Sequence, residues 1–487
     1  MPSALEGDRR VKLRDVLDAS RIAAGGLKDF ATGLVNPTLR LGVTGLSRSG
    51  KTVFITALVH ALTKGARLPL FEAQASGRIT RAYLEPQPDD DLPRFGYEEH
   101  LQRLTTEEPS WPESTRRISQ LRLTLEYEPR GIIARNFKSG KLHIDIVDYP
   151  GEWLLDLPLM QMTFHEWSMA TINASRIEPR ASLAKTWHAH LKTLDATSPA
   201  RELDAVKAAE LFTSYLADCR KDGVSLSSLP PGRFLMPGDL AGSPLLTFAP
   251  LNVGLDQDFP RGSLGDLMER RYNSYVSKIV RPFFFGHFAR LDRQIVLVDT
   301  LSALNAGVAA VQDLKNALAQ VMKCFRLGSN SILSEVFGRR IDRILFAATK
   351  ADLLHQSSHD HLENILRLIV DDASARAEFT GASVDVAALA AIRATREAKV
   401  KQRNEELPCI AGIPQKGEVI DGITFDGERE AAIFPGDLPE NAGDALNGTM
   451  QGKLKFLRFR PPPLKDGTFP HIRLDRTLEF LLGDRFS

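Results

Sequence analysis

The stretch GLSRSGKT, residues 45–52, restricts the folds open to this chain more than any other feature. A short β-type run, residues 39–45, precedes it, and an apolar helical pattern, residues 52–62, follows it at once. A glycine, four residues and then Gly-Lys-Thr is the spacing of a loop whose backbone N–H groups turn inward around phosphate. Because that loop requires a strand before it and a helix after it, the sequence predicts a P-loop α/β fold.

Each residue type in this loop has a chemical use. Glycine lets the backbone approach phosphate oxygens closely. Lys51 would neutralise the β- and γ-phosphates, and the Thr52 hydroxyl would ligate Mg²⁺. The following helix directs its positive N-terminus at the same anion. We therefore predict nucleotide contacts from nine consecutive residues: Gly45, Leu46, Ser47, Arg48, Ser49, Gly50, Lys51, Thr52 and Val53.

A second motif ends an apolar run in LHIDIVDYPGEW, residues 142–153. Asp148 at the carboxyl end of a strand can hold Mg²⁺ through water, opposite Thr52. Gly151 can offer its backbone N–H to a γ-phosphate and swing when that phosphate leaves. The alternative is that Asp148 merely starts a Pro-Gly turn. Its position downstream of the phosphate loop favours the γ-phosphate interpretation.

The third motif is Thr-Lys-Ala-Asp, residues 349–352, which also ends a buried-strand pattern. The Asp352 carboxylate can accept two hydrogen bonds from the N1 and N2 hydrogens of guanine, a donor pair that adenine lacks. The Lys350 stem can pack over the base plane. Thr349 stands where Asn is usual, and a simple helix N-cap by Asp352 is the alternative. The motif order favours guanine binding.

Two further assignments are weaker. Thr115 precedes the first strand of a predicted hairpin, where a switch threonine would reach Mg²⁺ and the γ-phosphate, with Thr105 and Thr106 as rivals. The run AIRAT ends the last apolar strand, so the backbone of Ala394 or Thr395 could contact the base. An ordinary loop threonine and a plain core strand are the respective alternatives.

Hydrolysis requires a group that orients water and positive charge that stabilises the transferring phosphoryl group. Glu152 follows Gly151 where many related sites carry Gln, but its charge would repel a γ-phosphate unless it is screened. Arg48 ranks first among the candidates for an arginine finger, ahead of Arg116 and Arg117. For each of them a surface arginine or a simple phosphate contact is the favoured alternative. With Lys51, Arg48 and Glu152 as candidate catalytic residues, we expect slow turnover.

Alternating strand and helix patterns predict a doubly wound α/β sheet with a large helical insertion and a smaller β-rich one. The three motifs place this sheet among P-loop NTPases of the Ras-like GTPase type. The expected units are a helical lead-in (1–38), the first part of the core (39–152, with a polar surface insertion at about 68–112), a helical insertion (153–290), the second part of the core (291–411), a β-rich insertion (412–460) and a C-terminal segment with a helix on the core (461–487).

Composition narrows the class of partner and compartment. The chain has 62 basic and 61 acidic residues, so no charge excess predicts nucleic acid binding. Three separated cysteines and a charged N-terminus without an apolar signal core favour the cytoplasm. Peripheral membrane contact stays open, and the sequence names neither an oligomeric state nor a protein partner.

Six stretches of the chain, spread from about residue 40 to 486, resemble the YcjX-like P-loop proteins, a bacterial group labelled stress proteins or predicted ATPases: RLGVTGLSRSGKTVFITALVHAL, DIVDYPGEWLLDLPL, RQIVLVDTLSALNAG, FAATKAD, AAIRAT and PHIRLDRTLEFLLGDRF. The resemblance implies a GTPase-like core with helical insertions that binds guanine nucleotide in the bacterial cytoplasm. It assigns binding roles to Gly45, Gly50, Lys51, Thr52, Asp148, Gly151, Lys350 and Asp352. Residues 68–109 and 412–457 match less clearly.

The leading functional hypothesis is a Mg²⁺-dependent GTPase that alternates between GTP and GDP states and acts on an unidentified protein partner or activator. The helical insertion directly after Gly151 is placed to convey the switch. One alternative is an ATPase or phosphotransferase that lacks guanine selectivity. Another is a nucleotide-gated scaffold that scarcely hydrolyses, which Glu152 at the water-orienting position favours.

Overall fold

A computed structural model describes residues 37–45, 49–113, 117–130, 140–221, 224–324, 341–379, 381–402 and 405–486. A seven-stranded sheet with the order β2-β3-β4-β1-β5-β6-β7 lies at its centre. Strands β4, β1, β5, β6 and β7 are parallel, and β3 and β2 extend the sheet in antiparallel fashion. The strands are β1 (Thr38–Gly45), β2 (Ile79–Glu85), β3 (Ser119–Tyr127), β4 (Gly140–Asp148), β5 (Arg293–Val298), β6 (Arg343–Ala348) and β7 (Ser383–Ala388).

Helices connect and cover these strands. In the described part of the chain the α-helices are α1 (Lys51–Thr63), α2 (Glu72–Ala75), α3 (Tyr97–Thr105), α4 (Phe164–Ala174), α5 (Arg180–Leu183), α6 (Lys185–Leu191), α7 (Glu202–Cys219), α8 (Gly232–Leu235), α9 (Leu264–Tyr275), α10 (Arg281–Gly286), α11 (Thr300–Ala306), α12 (Val308–Cys324), α13 (His359–Ile369), α14 (Asp371–Phe379), α15 (Ala442–Asp444) and α16 (Leu474–Leu482). A 3₁₀ helix, Gly151–Gln161, follows β4.

The central strands are buried on both faces. Every residue of β5 is buried, and its side chains alternate between two hydrophobic clusters. Ile295 and Leu297 pack in the cluster that contains α1 and α16, whereas Val296 and Val298 pack with α11, α12 and α13. A strand covered by helices on both sides has a continuous run of apolar residues, and this run is why β5 could be predicted from the sequence. The predicted mixed α/β sheet is confirmed.

The polar segment at residues 68–112 differs from the expected surface insertion. It contributes β2 to the edge of the central sheet, paired antiparallel with β3, and it buries Leu68 and Phe71 in the core. Most side chains of β2 are only half-buried, because an edge strand faces solvent, so the sequence ITRAYLE carries no apolar run.

A separate three-stranded antiparallel sheet follows the central one. It has the order β12-β9-β8 and is built from β8 (Arg396–Gln402), β9 (Glu405–Gly412) and β12 (Ala431–Ile433), with a β10–β11 hairpin (Val419–Ile420 and Ile423–Thr424) inserted. We expected β-rich structure from residue 412, whereas it begins at Arg396. The expected boundary at residue 411 placed these residues in the core. β8 and β9 instead belong to the separate sheet.

Residues 162–290, here called the helical region, lie between the 3₁₀ helix and β5 and carry α4 to α10. The region has its own aromatic core, in which Trp167 stacks on Tyr272 and Trp187 stacks on Tyr215. No helix in the described part of the chain is long and apolar enough to cross a membrane. Residues 1–36 of the expected helical lead-in fall outside the described residues.

Candidate nucleotide-binding site

The phosphate loop connects β1 to α1, as the motif requires. A Cβ added to Gly45 would lie 2.1 Å from Ser49 Oγ and 2.7 Å from the Leu297 carbonyl oxygen, so only glycine fits there. Gly50 has a φ of 82°, and an added Cβ would meet nothing within 4 Å. The loop residues Leu46, Ser47 and Arg48 fall outside the described part of the chain.

Lys51 and Thr52 open α1 beneath this loop. Lys51 is 8% exposed, and its Nζ donates to the Gly45 carbonyl at 3.3 Å. The Thr52 hydroxyl donates to the Glu113 carbonyl at 3.3 Å. Thr115, the predicted switch threonine, falls outside the described residues, so its assignment stays a prediction.

A cavity of about 790 Å³ extends from the phosphate loop along the carboxyl edge of the sheet. Its volume is within the range of small-molecule sites. Residues from three separate motifs meet there because the parallel strands β1, β6 and β7 all end at this edge. The cavity is lined by these sequence-predicted residues: Ser49, Gly50, Lys51, Thr52, Val53, Thr349, Lys350, Asp352 and Ala394.

The far end of the cavity is built around Asp352. Its Oδ2 accepts a hydrogen bond from the Ala394 N–H at 2.9 Å, and its backbone carbonyl accepts from the Thr395 hydroxyl at 2.5 Å. Burial raises the pKa of the Asp352 carboxyl to about 6. The Thr349 hydroxyl turns away and donates to the Val298 carbonyl at 3.3 Å. Asp352 and Ala394 thus present an acceptor and a donor side by side.

Sequence reasoning missed two features of the cavity wall. Asp299, which follows β5, lines the cavity and accepts a hydrogen bond from Lys350 Nζ at 2.5 Å. An aspartate directly after an apolar strand is the signal that identified Asp148, and RQIVLVDT contains it. Trp111 also lines the cavity and donates its indole N–H to the Phe459 carbonyl at 2.7 Å. No sequence pattern marks that second contact.

The residues predicted to sense the γ-phosphate lie beside this cavity rather than on its wall. Asp148 ends β4, is 1% exposed and stands opposite Val43 of β1 in the parallel register. Gly151 begins the 3₁₀ helix. The Glu152 carboxylate pairs with Arg220, just after α7, at 2.5 Å. Asp148, Gly151 and Glu152 are not among the described residues that line the cavity.

The donors predicted for Mg²⁺ are the hydroxyls of Thr52 and Thr115, the second of which falls outside the described residues, and the Asp148 carboxylate. Oxygen donors of this kind suit Mg²⁺, which keeps several waters and uses few protein ligands. Within the described ranges, no three or more His, Cys, Asp or Glu side chains group into a metal site.

A mostly parallel sheet with a glycine loop between its first parallel strand and helix defines a P-loop NTPase-like protein. The model of the YcjX-like family, DUF463, matches residues 39–486, and the chain belongs to that family. It is similar to the Ras-like GTPase YcjX of Escherichia coli (strain K12), with 39% identity over 478 residues, 94% of this chain and 99% of the relative. A Shewanella oneidensis protein of the same name is 35% identical over 476 residues, 92% of this chain and 95% of the relative.

Proposed function

We propose that this protein binds guanine nucleotide with Mg²⁺, hydrolyses GTP slowly and acts as a conformational switch. The observation that carries the proposal is the single cavity into which Lys51 and Thr52 project at one end and Asp352 and Ala394 at the other. Both curated relatives carry the name Ras-like GTPase, which supports the same conclusion.

The phosphate end has positive groups and unused hydrogen-bonding capacity. Lys51 supplies the charge, and the first turn of α1 supplies backbone N–H groups. The buried Ser49 hydroxyl has no hydrogen-bond partner among the described residues. It can therefore form a hydrogen bond to a bound phosphate. Gly50 leaves open space where any other residue would place a Cβ. These features support binding of the β- and γ-phosphates.

The other end has the chemistry to select guanine. An ionised Asp352 carboxylate can accept both N1–H and N2–H of guanine, while the Ala394 N–H is available to O6 if the base displaces its present bond to Asp352. Adenine has no matching donor pair, so it would leave the buried carboxylate without the two hydrogen bonds that guanine supplies, which is costly. Guanine selectivity follows from that difference.

Hydrolysis would use the residues around Glu152. Mg²⁺ held by Thr52 and Asp148 would neutralise charge on the phosphate oxygens. The ion pair between Glu152 and Arg220 compensates the carboxylate charge that would otherwise repel a γ-phosphate. Glu152 is therefore our proposed water-orienting residue, with Lys51 and Arg48 as the proposed positive charges, and slow turnover fits a glutamate that is already held in an ion pair.

The switch would act through the 3₁₀ helix Gly151–Gln161, which is tied to the helical region by side chains. Asp156 accepts hydrogen bonds from the Gly232 N–H at 2.6 Å and from the Tyr275 hydroxyl at 2.5 Å. The Trp153 indole donates to the Met236 carbonyl at 3.0 Å. A shift of Gly151 with γ-phosphate occupancy would therefore move contacts to the helical region, the proposed surface for a partner or activator.

Calorimetric titration with GDP and ADP tests the proposal. We expect GDP to bind about 100-fold more tightly than ADP, because each of the two lost hydrogen bonds to a charged group costs about 1.5 kcal/mol or more. Asp352→Ala should abolish that preference, Lys51→Ala should weaken both nucleotides, and the exposed-site control Asp256→Ala should change neither. Equal affinities of the wild-type protein for GDP and ADP would contradict guanine selectivity and favour the ATPase alternative.

A further inference from the structure

Lys350 shares the cavity with four carboxylate side chains, Glu113, Asp299, Asp352 and Glu418, and it pairs with Asp299. Its Nζ lies 2.5 Å from Asp299 Oδ2, and the Asp299 side chain is only 13% exposed. Lys350, Asp299 and Asp352 all line the cavity. The arrangement determines which carboxylate remains available to a ligand.

Asp299 is a rigid anchor. It follows the fully buried strand β5, and its other carboxylate oxygen, Oδ1, accepts from the Ser302 N–H at 3.2 Å, which caps α11. Such a cap fixes the side chain in one orientation. Lys350, in contrast, has a flexible four-carbon stem on a backbone in the left-handed region, with a φ of 61°. The position of the Lys350 ammonium group therefore depends on the carboxylate with which it pairs.

The Thr349 hydroxyl donates to the Val298 carbonyl, and the partner that the structure shows for the Lys350 ammonium is Asp299. An ammonium group released from Asp299 would be attracted to Asp352, on which the Lys350 charge already acts, whereas Glu418 is paired with Arg458. A lysine paired there would occupy the oxygens that the proposed function assigns to the N1 and N2 hydrogens of guanine. The lysine would then compete with the base.

We infer that Asp299 is a specificity-positioning residue: it draws the Lys350 ammonium away from Asp352, so that the carboxylate stays free for a guanine base and the lysine stem lies along the cavity. The ligand class is a guanine nucleoside di- or triphosphate. This inference rests on the proposed function, because it concerns the base end of the same site.

Asp299→Asn is the variant of choice, since the amide oxygen can still accept from the Ser302 N–H while the charge that holds Lys350 is lost. Lys350→Met is its partner, because methionine keeps an apolar stem and has no ammonium group to compete for Asp352. Calorimetry on the full chain with GDP, ADP and inorganic pyrophosphate, for both single variants and the double variant, separates the effects of base and phosphate.

We expect Asp299→Asn to weaken GDP binding about tenfold and to leave pyrophosphate binding within about twofold, as a coupling confined to neighbouring side chains predicts. Lys350→Met alone should weaken GDP binding about threefold, because it removes one charged group from the base end of the site. The double variant should recover the GDP affinity of Lys350→Met, because no ammonium group remains to block Asp352. A purely structural role for Asp299 would give no such recovery.

Three results would overturn the inference: unchanged GDP affinity in Asp299→Asn, a double variant as weak as Asp299→Asn, or a parallel loss of pyrophosphate affinity. Failure of the proposed function has a different signature, since it appears in the wild-type protein as equal affinity for GDP and ADP. If the wild-type protein prefers GDP and Asp299→Asn has the same GDP affinity as wild type, the inference about Asp299 is rejected and the proposed function stands.

Discussion

The segment proposed to read the base and the segment proposed to sense the γ-phosphate are attached to different parts of the molecule. At the base end, Lys350 and Asp352 follow β6 directly, and their side chains face the cavity. In the γ-phosphate-sensing segment, the 3₁₀ helix Gly151–Gln161 follows β4. Its side chains Glu152 and Asp156 form hydrogen bonds to the helical region and not to the cavity wall. Both segments begin at the same edge of one sheet, yet only the first belongs wholly to the sheet and its connections.

This difference separates base selection from switching. The base end depends on groups fixed by the central sheet and its immediate loops, so the affinity for guanine should be insensitive to the helical region. The 3₁₀ helix depends on partners far along the chain, so its position should be sensitive to changes in those helices. The variants and the pH change below test that separation, and they are ordered by expected effect.

Asp156→Ala should give the largest effect. It removes the acceptor for the Gly232 N–H and the Tyr275 hydroxyl and leaves both donors buried, so we expect the free energy of unfolding to fall by about 3 kcal/mol. Asp156→Asn, which keeps an acceptor for Gly232, is the matched control and should lose less. Chemical denaturation measures both. GDP affinity of the folded protein should not change.

A fall in GDP affinity in Asp156→Ala that matched the loss of stability would break the separation of the two segments. It would mean that the helical region also sets the geometry of the base end.

Lowering the pH should weaken guanine selectivity. Burial raises the pKa of Asp352 to about 6, and only the ionised carboxylate accepts both guanine hydrogens. Because the free protein gains this proton as the pH falls through about 6, the ratio of GDP to ADP affinity should drop about tenfold between pH 7.5 and pH 5. Because GDP and ADP carry the same diphosphate, protonation of the phosphates affects both affinities equally and does not change their ratio. A ratio that stayed constant over that range would argue against Asp352 as the acceptor.

Trp111→Phe should have the smallest effect. The substitution keeps an aromatic ring in the cluster with Leu104 and Ile392 but removes the N–H that donates to the Phe459 carbonyl. Loss of one such hydrogen bond should speed GDP dissociation about threefold. Displacement of a fluorescent GDP analogue in a stopped-flow instrument measures the rate. An unchanged rate would show that this link does not help to retain the nucleotide.

The sequence predicted the parts of the fold that are continuous in the chain. β3, β4, β5 and β6 coincide closely with apolar runs because strands buried on both faces leave that pattern. The aspartates at the ends of such runs, Asp148 and Asp352, were found in the same way. β7 ends at Ala388, so residues 389–395 form a connection at the cavity rather than the end of a strand.

Contacts between distant segments could not be predicted from the sequence. The pairs Lys350–Asp299 and Glu152–Arg220 depend on the register of the sheet and on the packing of α7, which a single sequence does not reveal. β2 escaped notice because an edge strand mixes charged and apolar residues. The phosphate loop could therefore be predicted from its sequence motif. The residues that hold Lys350 and Glu152 in place could not.

The central claim is that the Asp352 carboxylate selects guanine, and Asp352→Asn tests it most directly. An amide offers a donor where the carboxylate only accepts, so it matches xanthine, which carries an oxygen at position 2 in place of the amino group. Affinities for GDP and xanthosine diphosphate, measured by calorimetry on both proteins, should reverse their order, with wild type preferring GDP and Asp352→Asn preferring the xanthine nucleotide. If Asp352→Asn kept the wild-type preference for GDP, the carboxylate would not be reading the base and the account would be wrong.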